Sequence, residues 1–226
     1  MEHAGMAAAA VRYLRSDRTR TGTSTSTVTG AAARMTTGPV EALPRPELRC
    51  VGDDERVPVD QAEFRRVLGN FATGVTVITA PAAEGEHTPA GFACQSFSAL
   101  SLDPPLVSFM VGRTSTTWPR IARAGVFCVN VLGAGQGELC RRFAVSGADK
   151  FAGVAHEPAP ATGSPRLTGV PAWVDCVIHA VHPGGDHLIV VGRVEALGTG
   201  DEHASGTLGG APLLFHRGRF GGFTTD

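Results

Sequence analysis

Two runs of strand-forming residues, Ala172 to His182 and His187 to Leu197, are separated only by Pro183-Gly184-Gly185-Asp186. So short a connection can join strands only as a hairpin, because a parallel pair needs a crossover of about a dozen residues or more. Thr73 to Ala80, TGVTVITA, is β-branched, and Pro81 to Pro89 is a polar turn. Residues 90–118 read as two strands, a first run rich in Ser, Ala, Phe and Cys and, beyond Pro104-Pro105, a second from Leu106 to Met110. Val126 to Leu132 and Pro212 to His216 are further strands, the latter followed by a basic GRFGGF tail. Between them, Asp60 is a helix N-cap with Glu63 at the capping-box position, and Phe64, Val67, Leu68 and Phe71 follow at helical spacing to an end at Gly69-Asn70. Thr114 to Ala124, with Pro119 at its start, and Gln136 to Val145 are the other helical stretches, and Gly147 to Arg166 is a long loop. Roughly six or seven strands adjacent in sequence, against a few short helices, predict a mainly β fold: an antiparallel barrel rather than a doubly wound sheet.

A chain of 226 residues is long enough for one domain with a core of its own. Residues 1–56 carry Thr23-Ser24-Thr25-Ser26-Thr27, alanine runs and Pro44-Arg45-Pro46 without a sustained apolar period. They are expected to be a disordered extension, since they bury too little surface to offset the entropy of ordering. The folded domain is expected over 57–222, with a short tail at 223–226. A net charge of −1 gives no electrostatic case for nucleic acid or a membrane surface, both of which favour a basic excess. No apolar run approaches the roughly 20 residues of a membrane span, and Glu2 before the first Ala patch with arginines after it is the wrong order for a secretory signal. Cys50, Cys94, Cys128, Cys140 and Cys176 are odd in number and include no C-x-x-C pair. Neither a disulfide framework nor a structural zinc site is expected, and a reducing cytoplasm fits best.

Residues 90–118 can shape a slot for a flat, phosphorylated ligand. Ser96, Ser98 and Ser101 alternate with Phe97, Ala99 and Leu100, while Arg113, Ser115, Thr116 and Thr117 follow a strand expected to lie beside the first. Two adjacent donor clusters suit a phosphate, although the polar faces of solvated strands would carry the same residues. Cys94 reads as a small buried hydrophobe, because a nucleophilic thiolate needs a nearby histidine and an electropositive setting. His179, His182, Asp186 and His187 invite a metal reading, yet on a strand His179 and His182 face opposite ways, and no metal site is expected. His187, opening a strand after Gly184-Gly185, can project its ring toward a pocket or lie on the surface. Gly133-Ala134-Gly135-Gln136-Gly137 has the context of a dinucleotide-binding turn, but Glu138 stands where the third glycine belongs and the segment reads as an ordinary loop.

The order of motifs adds to this. Phe64-Arg65-Arg66-Val67-Leu68-Gly69-Asn70-Phe71-Ala72-Thr73-Gly74-Val75-Thr76-Val77-Ile78-Thr79 is followed by Gly91-Phe92-Ala93-Cys94-Gln95-Ser96-Phe97-Ser98-Ala99-Leu100-Ser101-Leu102-Asp103-Pro104-Pro105-Leu106. Then come Phe127-Cys128-Val129-Asn130-Val131-Leu132, Asp149-Lys150-Phe151-Ala152-Gly153, Gly185-Asp186-His187 and Pro212-Leu213-Leu214-Phe215-His216-Arg217-Gly218. In this order, over about residues 60–222, they resemble the short-chain flavin reductases, the reductase components of two-component flavin-dependent monooxygenases. Within that family the chain is most similar to the reductases that serve actinobacterial phenol and steroid-ring hydroxylases.

The resemblance implies a split β-barrel of the FMN-binding type, working as a homodimer. It also implies that NADH, or in some members NADPH, reduces FMN or FAD, which is released to a separate oxygenase. Carried over by residue, Ala90, Gly91, Phe92, Ala93 and Cys94 with Ser96 and Phe97 would border the isoalloxazine. Val111, Gly112, Arg113, Thr117 and Trp118 would contact the ribityl phosphate and, with FAD, its adenylate end. Phe143 and the loop through Asp149 and Lys150 would cover the flavin. His187, the one residue given a catalytic place, and the strand of Pro212, Leu213 and Phe215 would receive the nicotinamide. Hydride transfer asks for stacked rings rather than an acid–base pair, which accords with the lack of any triad or carboxylate pair in the chain. A flavin-binding carrier without reductase turnover is the alternative. The extension over 1–56 and the glycine-rich insertion around Ser205 to Gly210 depart from the family pattern.

Overall fold

The computed structural model describes residues 59–147, 149–200 and 211–223. The extension expected over 1–56, the Ser205 to Gly210 insertion and the last residues of the tail lie outside the described residues.

The long hairpin forms as its turn residues require. β9 (Ala172–Gly184) and β10 (His187–Thr199) pair antiparallel with Gly184 opposite His187, and Gly185 takes the left-handed conformation of the turn at φ 71°. On one flank β9 pairs with β6 (Val126–Val131), which pairs with β2 (Thr76–Ala80), which pairs with β3 (Ala90–Cys94). On the other flank β10 pairs with β5 (Pro105–Gly112), which pairs with β4 (Ser98–Leu102). One antiparallel sheet results, in the order β3-β2-β6-β9-β10-β5-β4. Its two ends meet where Ser96 Oγ donates to Met110 O at 3.1 Å and accepts from Met110 N at 3.0 Å, so the sheet curls into a barrel. The mainly β, antiparallel barrel read from the sequence is the fold observed.

β2 and β6 are buried on both faces because both faces are covered. Inside the barrel Ile78, Phe109, Phe127 and Val190 are fully buried, with Phe109 edge-on to Phe127 at 5.2 Å. The outer faces of β2, β6 and β9 carry Val77, Cys128 and Trp173, which share a core with Cys140 and Phe143 of a helix and with Leu213. That helix is the third. α1 (Gln61–Leu68) is capped by Asp60 Oδ1, which accepts from the N–H groups of Ala62 and Glu63, each at 2.9 Å. α2 (Trp118–Ala124) carries Pro119 in its first turn and ends at Gly125 with φ 72°. α3 (Gly137–Ala144) is the helix laid on the outer face.

A buried polar spine holds the chain between β6 and β9. Asn130 Nδ2 donates to Val77 O and Thr79 Oγ1 at 3.2 and 3.1 Å, and its Oδ1 accepts from Leu167 N at 2.7 Å. Asp175 accepts from Ala161 N, Thr162 N and Thr162 Oγ1 at 2.9, 3.0 and 2.5 Å. Both side chains are fully buried, and each is fully partnered, as burial demands.

Several elements differ from expectation. Thr73 to Ala80 divides at Val75. Its first part, β1 (Thr73–Gly74), leaves the barrel to pair with β11 (Leu214–His216), which pairs with β12 (Arg219–Gly221) formed by the supposed tail. Residues 90–118 hold three strands rather than two, because the chain turns at Gln95–Phe97 to close the barrel. The 147–166 loop contains a small ladder of β7 (His156–Pro158) and β8 (Pro165–Leu167), held by Asn130. Glu63 does not complete a capping box; its carboxylate takes Arg66 instead, and the pair holds Glu63 below the usual carboxylate range.

Candidate functional site

Where β1 leaves the barrel, a groove of about 1620 Å³ opens between α1, β1, the Gln95–Ser98 turn and the start of β10. This volume exceeds the roughly 300–1,000 Å³ of an ordinary small-molecule site and leaves room for two flat ligands together. Phe97 and Phe215 are aromatic lining, and Ser96, His187 and Thr73 are polar lining. Gly74 also lines it, and a Cβ added there would meet nothing within 4 Å. The groove thus combines apolar walls, a few polar groups and open space beside a strand, which suits stacked aromatic rings.

His187 stands opposite Gly112, and its Nδ1 lies 2.7 Å from Asp186 Oδ1. The imidazole holds the Asp186 carboxyl below its ordinary range. An ionised carboxylate only accepts, so Nδ1 carries the proton and Nε2 is left free to accept. Arg113 crosses the same turn, its backbone N donating to Asp186 O and its Nε to Gly185 O, each at 2.9 Å. Its exposed guanidinium therefore braces the hairpin that presents His187.

The Ser96 hydroxyl is spent on Met110, and Cys94 Sγ lies 3.3 Å behind it. Burial pushes the Cys94 thiol pKa up, the opposite of what a nucleophile requires. In β3, Lys150 Nζ donates to Gly91 O at 3.1 Å, away from β2. Residues of the same phase, Gly91 and Ala93, turn their N–H groups toward that edge, while Ala90, Phe92 and Cys94 pair inward. Lys150 also donates to Phe143 O at 3.1 Å, and burial together with Arg120 pushes its ammonium pKa down. Arg120 Nη2 donates to Thr88 O at 2.6 Å, so two cations grip the entry to β3.

The residues singled out in the sequence fall into separate places. Ser96, Phe97, His187 and Phe215 share the groove, and Gly112 and Arg113 flank it. Val111, Trp118, Ala90 and Cys94 are buried in the barrel interior, and Phe92 packs against that core. Phe143, fully buried, packs onto Gly91 and edge-on to Phe151 at 5.1 Å; its ring lies in the outer core. Leu213 is buried in that same core, Ala93 packs against it, and Pro212 bridges to Gly133. Thr117 precedes α2, where Ser115 Oγ accepts from Trp118 N at 3.1 Å. Asp149 Oδ1 caps Phe151 N at 3.1 Å. The two Ser/Thr clusters do not form one phosphate cradle. β4 runs antiparallel to β5 with Ser98 opposite Ser108 and Ser101 opposite Leu106, which carries these serines away from Arg113. Among the described residues no three His, Cys, Asp or Glu side chains gather as for a metal ion.

Thr73, Gly74, Gln95, Met110, Arg65 and Arg217 line the groove and were not singled out as site residues. One signal was present: Arg217-Gly218 between short apolar pieces reads as a hairpin turn that folds the C-terminal strands over β1.

Comparison with known proteins agrees with this geometry. The flavin reductase-like domain matches residues 68–224. The reductase subunit HsaB of a flavin-dependent monooxygenase from Rhodococcus jostii RHA1 is 48% identical over 168 residues, covering 74% of this chain and 80% of that protein. The crystal structure of nitrilotriacetate monooxygenase component B from Mycobacterium thermoresistibile is 48% identical, covering 73% of this chain and 87% of that one, with a TM-score of 0.66. The Streptomyces globisporus NADH:FAD oxidoreductase SgcE6, solved with NAD and FAD fragments, is 35% identical over 74% of this chain and 94% of its own, with a TM-score of 0.65. With a split-barrel fold and matches of this extent, the chain belongs to the flavin reductase-like family.

Proposed function

We propose that the protein is an NADH:flavin oxidoreductase that reduces FMN or FAD and supplies the reduced flavin to a separate monooxygenase component. The observation that carries this reading is the groove beside β1, large enough for nicotinamide and isoalloxazine together and lined by Phe97, Phe215 and His187. Hydride passes from nicotinamide C4 to flavin N5 when the rings stack at about 3–3.5 Å, and the protein's task is to hold them there and exclude water.

Each site residue then has a part in that task. The outward N–H groups of Gly91 and Ala93 on the β3 edge suit the polar rim of the isoalloxazine, where negative charge develops on reduction. Phe143, Lys150 and Asp149 act from behind, keeping β3 in place. Arg113, its Nε held by Gly185 O, braces the hairpin that presents His187. His187, its proton fixed on Nδ1 by Asp186, offers Nε2 to the nicotinamide carboxamide. Phe215, opposite Thr73 in the small sheet, supplies an aromatic wall.

The active form is a homodimer. Phe64, Val67, Leu68 and Phe71 on α1 and Leu102 on β4 are exposed, with Phe71 at 77% and Leu102 at 95%, and a second copy would cover such surface. Among the described residues, four buried free thiols accord with a reducing cytoplasm. Among the described residues no helix is long and apolar enough to cross a membrane.

Steady-state NADH oxidation with FMN or FAD in excess tests the activity, and sedimentation tests the dimer. Flavin-dependent oxidation by a two-chain particle is expected. Tight flavin binding with no oxidation of NADH would leave the carrier alternative, and a monomer with full activity would remove the dimer.

A further inference from the structure

Three arginines line the groove: Arg65 and Arg66 on α1, and Arg217 in the β11–β12 turn. Arg66 is committed, its Nε and Nη2 donating to Glu63 at 2.7 and 2.6 Å. Arg65 and Arg217 pair with no carboxylate among the described residues, although Arg65 is near enough to Asp186 to help lower its pKa.

Arg217 is held in an unusual way. It opens a two-residue turn between the paired His216 and Arg219, at φ 48°, and is the one non-glycine residue with positive φ among those described. A turn of this kind favours Asn or Gly at that position, so an arginine brings strain without helping the turn. Its contacts show where the side chain is directed. Its N–H donates to Gly69 O at 3.0 Å and its Nε to Asn70 Oδ1 at 2.9 Å, while Asn70 Nδ2 is anchored on Arg66 O and Val67 O at 3.0 and 2.9 Å. The guanidinium is thereby fixed on the groove rim with donors to spare.

We propose that Arg65 and Arg217 bind the pyrophosphate of a dinucleotide lying in the groove. Two guanidiniums without a carboxylate ion-pair partner among the described residues, lining an otherwise mostly apolar groove, suit two adjoining anionic phosphates. Both NADH and FAD carry this group. The inference rests on the reductase reading and adds to it the element that reads the dinucleotide.

The test uses the full chain and two variants. Arg217→Gly removes the guanidinium while suiting the left-handed turn, so its melting temperature is expected to stay at or above that of the parent; Arg65→Ala removes the other cation independently. With NADH as the bound dinucleotide, each variant raises KM for NADH by about tenfold, the size of one lost charge-assisted contact, and leaves kcat within about twofold. Reduced nicotinamide mononucleotide, which lacks the pyrophosphate, then shows a much smaller change. With FAD as the bound dinucleotide, KM for FAD rises about tenfold while that for FMN holds. KM values for both dinucleotides within about twofold of the parent, in both folded variants, would overturn the proposal. An equal loss for NADH and reduced nicotinamide mononucleotide with no FAD effect would overturn it too. A parent protein that oxidises no NADH with either flavin would instead reject the reductase reading.

Discussion

A methyl group added at Gly91 would lie 2.8 Å from Phe143 Cε1 and 3.2 Å from Ile78 O. In the sequence the small residues of β3 suggest room for a ligand; the structure adds a second reason, the phenyl ring of Phe143 on α3 packed against the strand. That contact joins residues far apart in the chain and has no local signature. Gly91→Ala is expected to lose about 1–3 kcal/mol in urea unfolding, and an unchanged midpoint would show that Phe143 has space to move. Cys94 was legible as a buried spacer from its type and neighbours. Its thiol, with pKa raised by burial, is expected to resist iodoacetamide at about pH 7.5, so that NADH oxidation survives treatment; rapid loss of activity through Cys94 alkylation would contradict this. Ser96 shows the limit of residue-level reading. Its hydroxyl looks available to a phosphate until the barrel register places it against Met110.

At the level of elements, the β9–β10 hairpin was legible because two Gly residues in a short turn dictate its geometry, and α1 because Asp60 caps a helical period. β4, β7, β8 and β12 were not. Each is only three to five residues long, β4 and β12 as edges of short hairpins and β7 and β8 as a ladder pinned by Asn130, too short for a pattern of their own to declare them. Asn130 and Asp175 are the clearest anchors. Both stand within apolar strands, where pattern alone cannot tell a polar residue facing water from one that pins a loop. Asp175→Ala strips the acceptor from Ala161 N, Thr162 N and Thr162 Oγ1. It is expected to cost about 2–4 kcal/mol of stability in denaturant unfolding and to free the 159–167 segment in hydrogen exchange. Native protection of that segment in the variant would show that Asn130 suffices.

Over the whole molecule, charge ties the pieces on one side of the barrel together. Glu86 receives Arg120 Nε and Arg123 Nη2, each at 2.5 Å, and these arginines hold its carboxyl below the ordinary 4.5. A folded-state pKa below the unfolded one means that the contribution is complete above about pH 4.5 and is lost as pH falls through the depressed value. Melting temperatures from about pH 6 to about pH 3 should therefore fall less steeply for Glu86→Gln than for the parent, and identical slopes would assign the acid sensitivity elsewhere.

The fold class and the family were legible because strand adjacency and motif order survive without coordinates. The site's location was legible only in part. Ser96, Phe97, His187 and Phe215 come from four separate stretches, and the α1, β1 and β11–β12 walls that complete their groove depend on β1 leaving the barrel at Val75. Gly74 lies at that departure with open space before it, so Gly74→Phe fills the groove without displacing backbone. The decisive measurement is anaerobic mixing of NADH with FMN or FAD and each protein, followed at the visible flavin band. The parent should bleach the flavin in proportion to NADH, and a Gly74→Phe protein of unchanged melting temperature should not. Equal bleaching by both would place hydride transfer outside this groove.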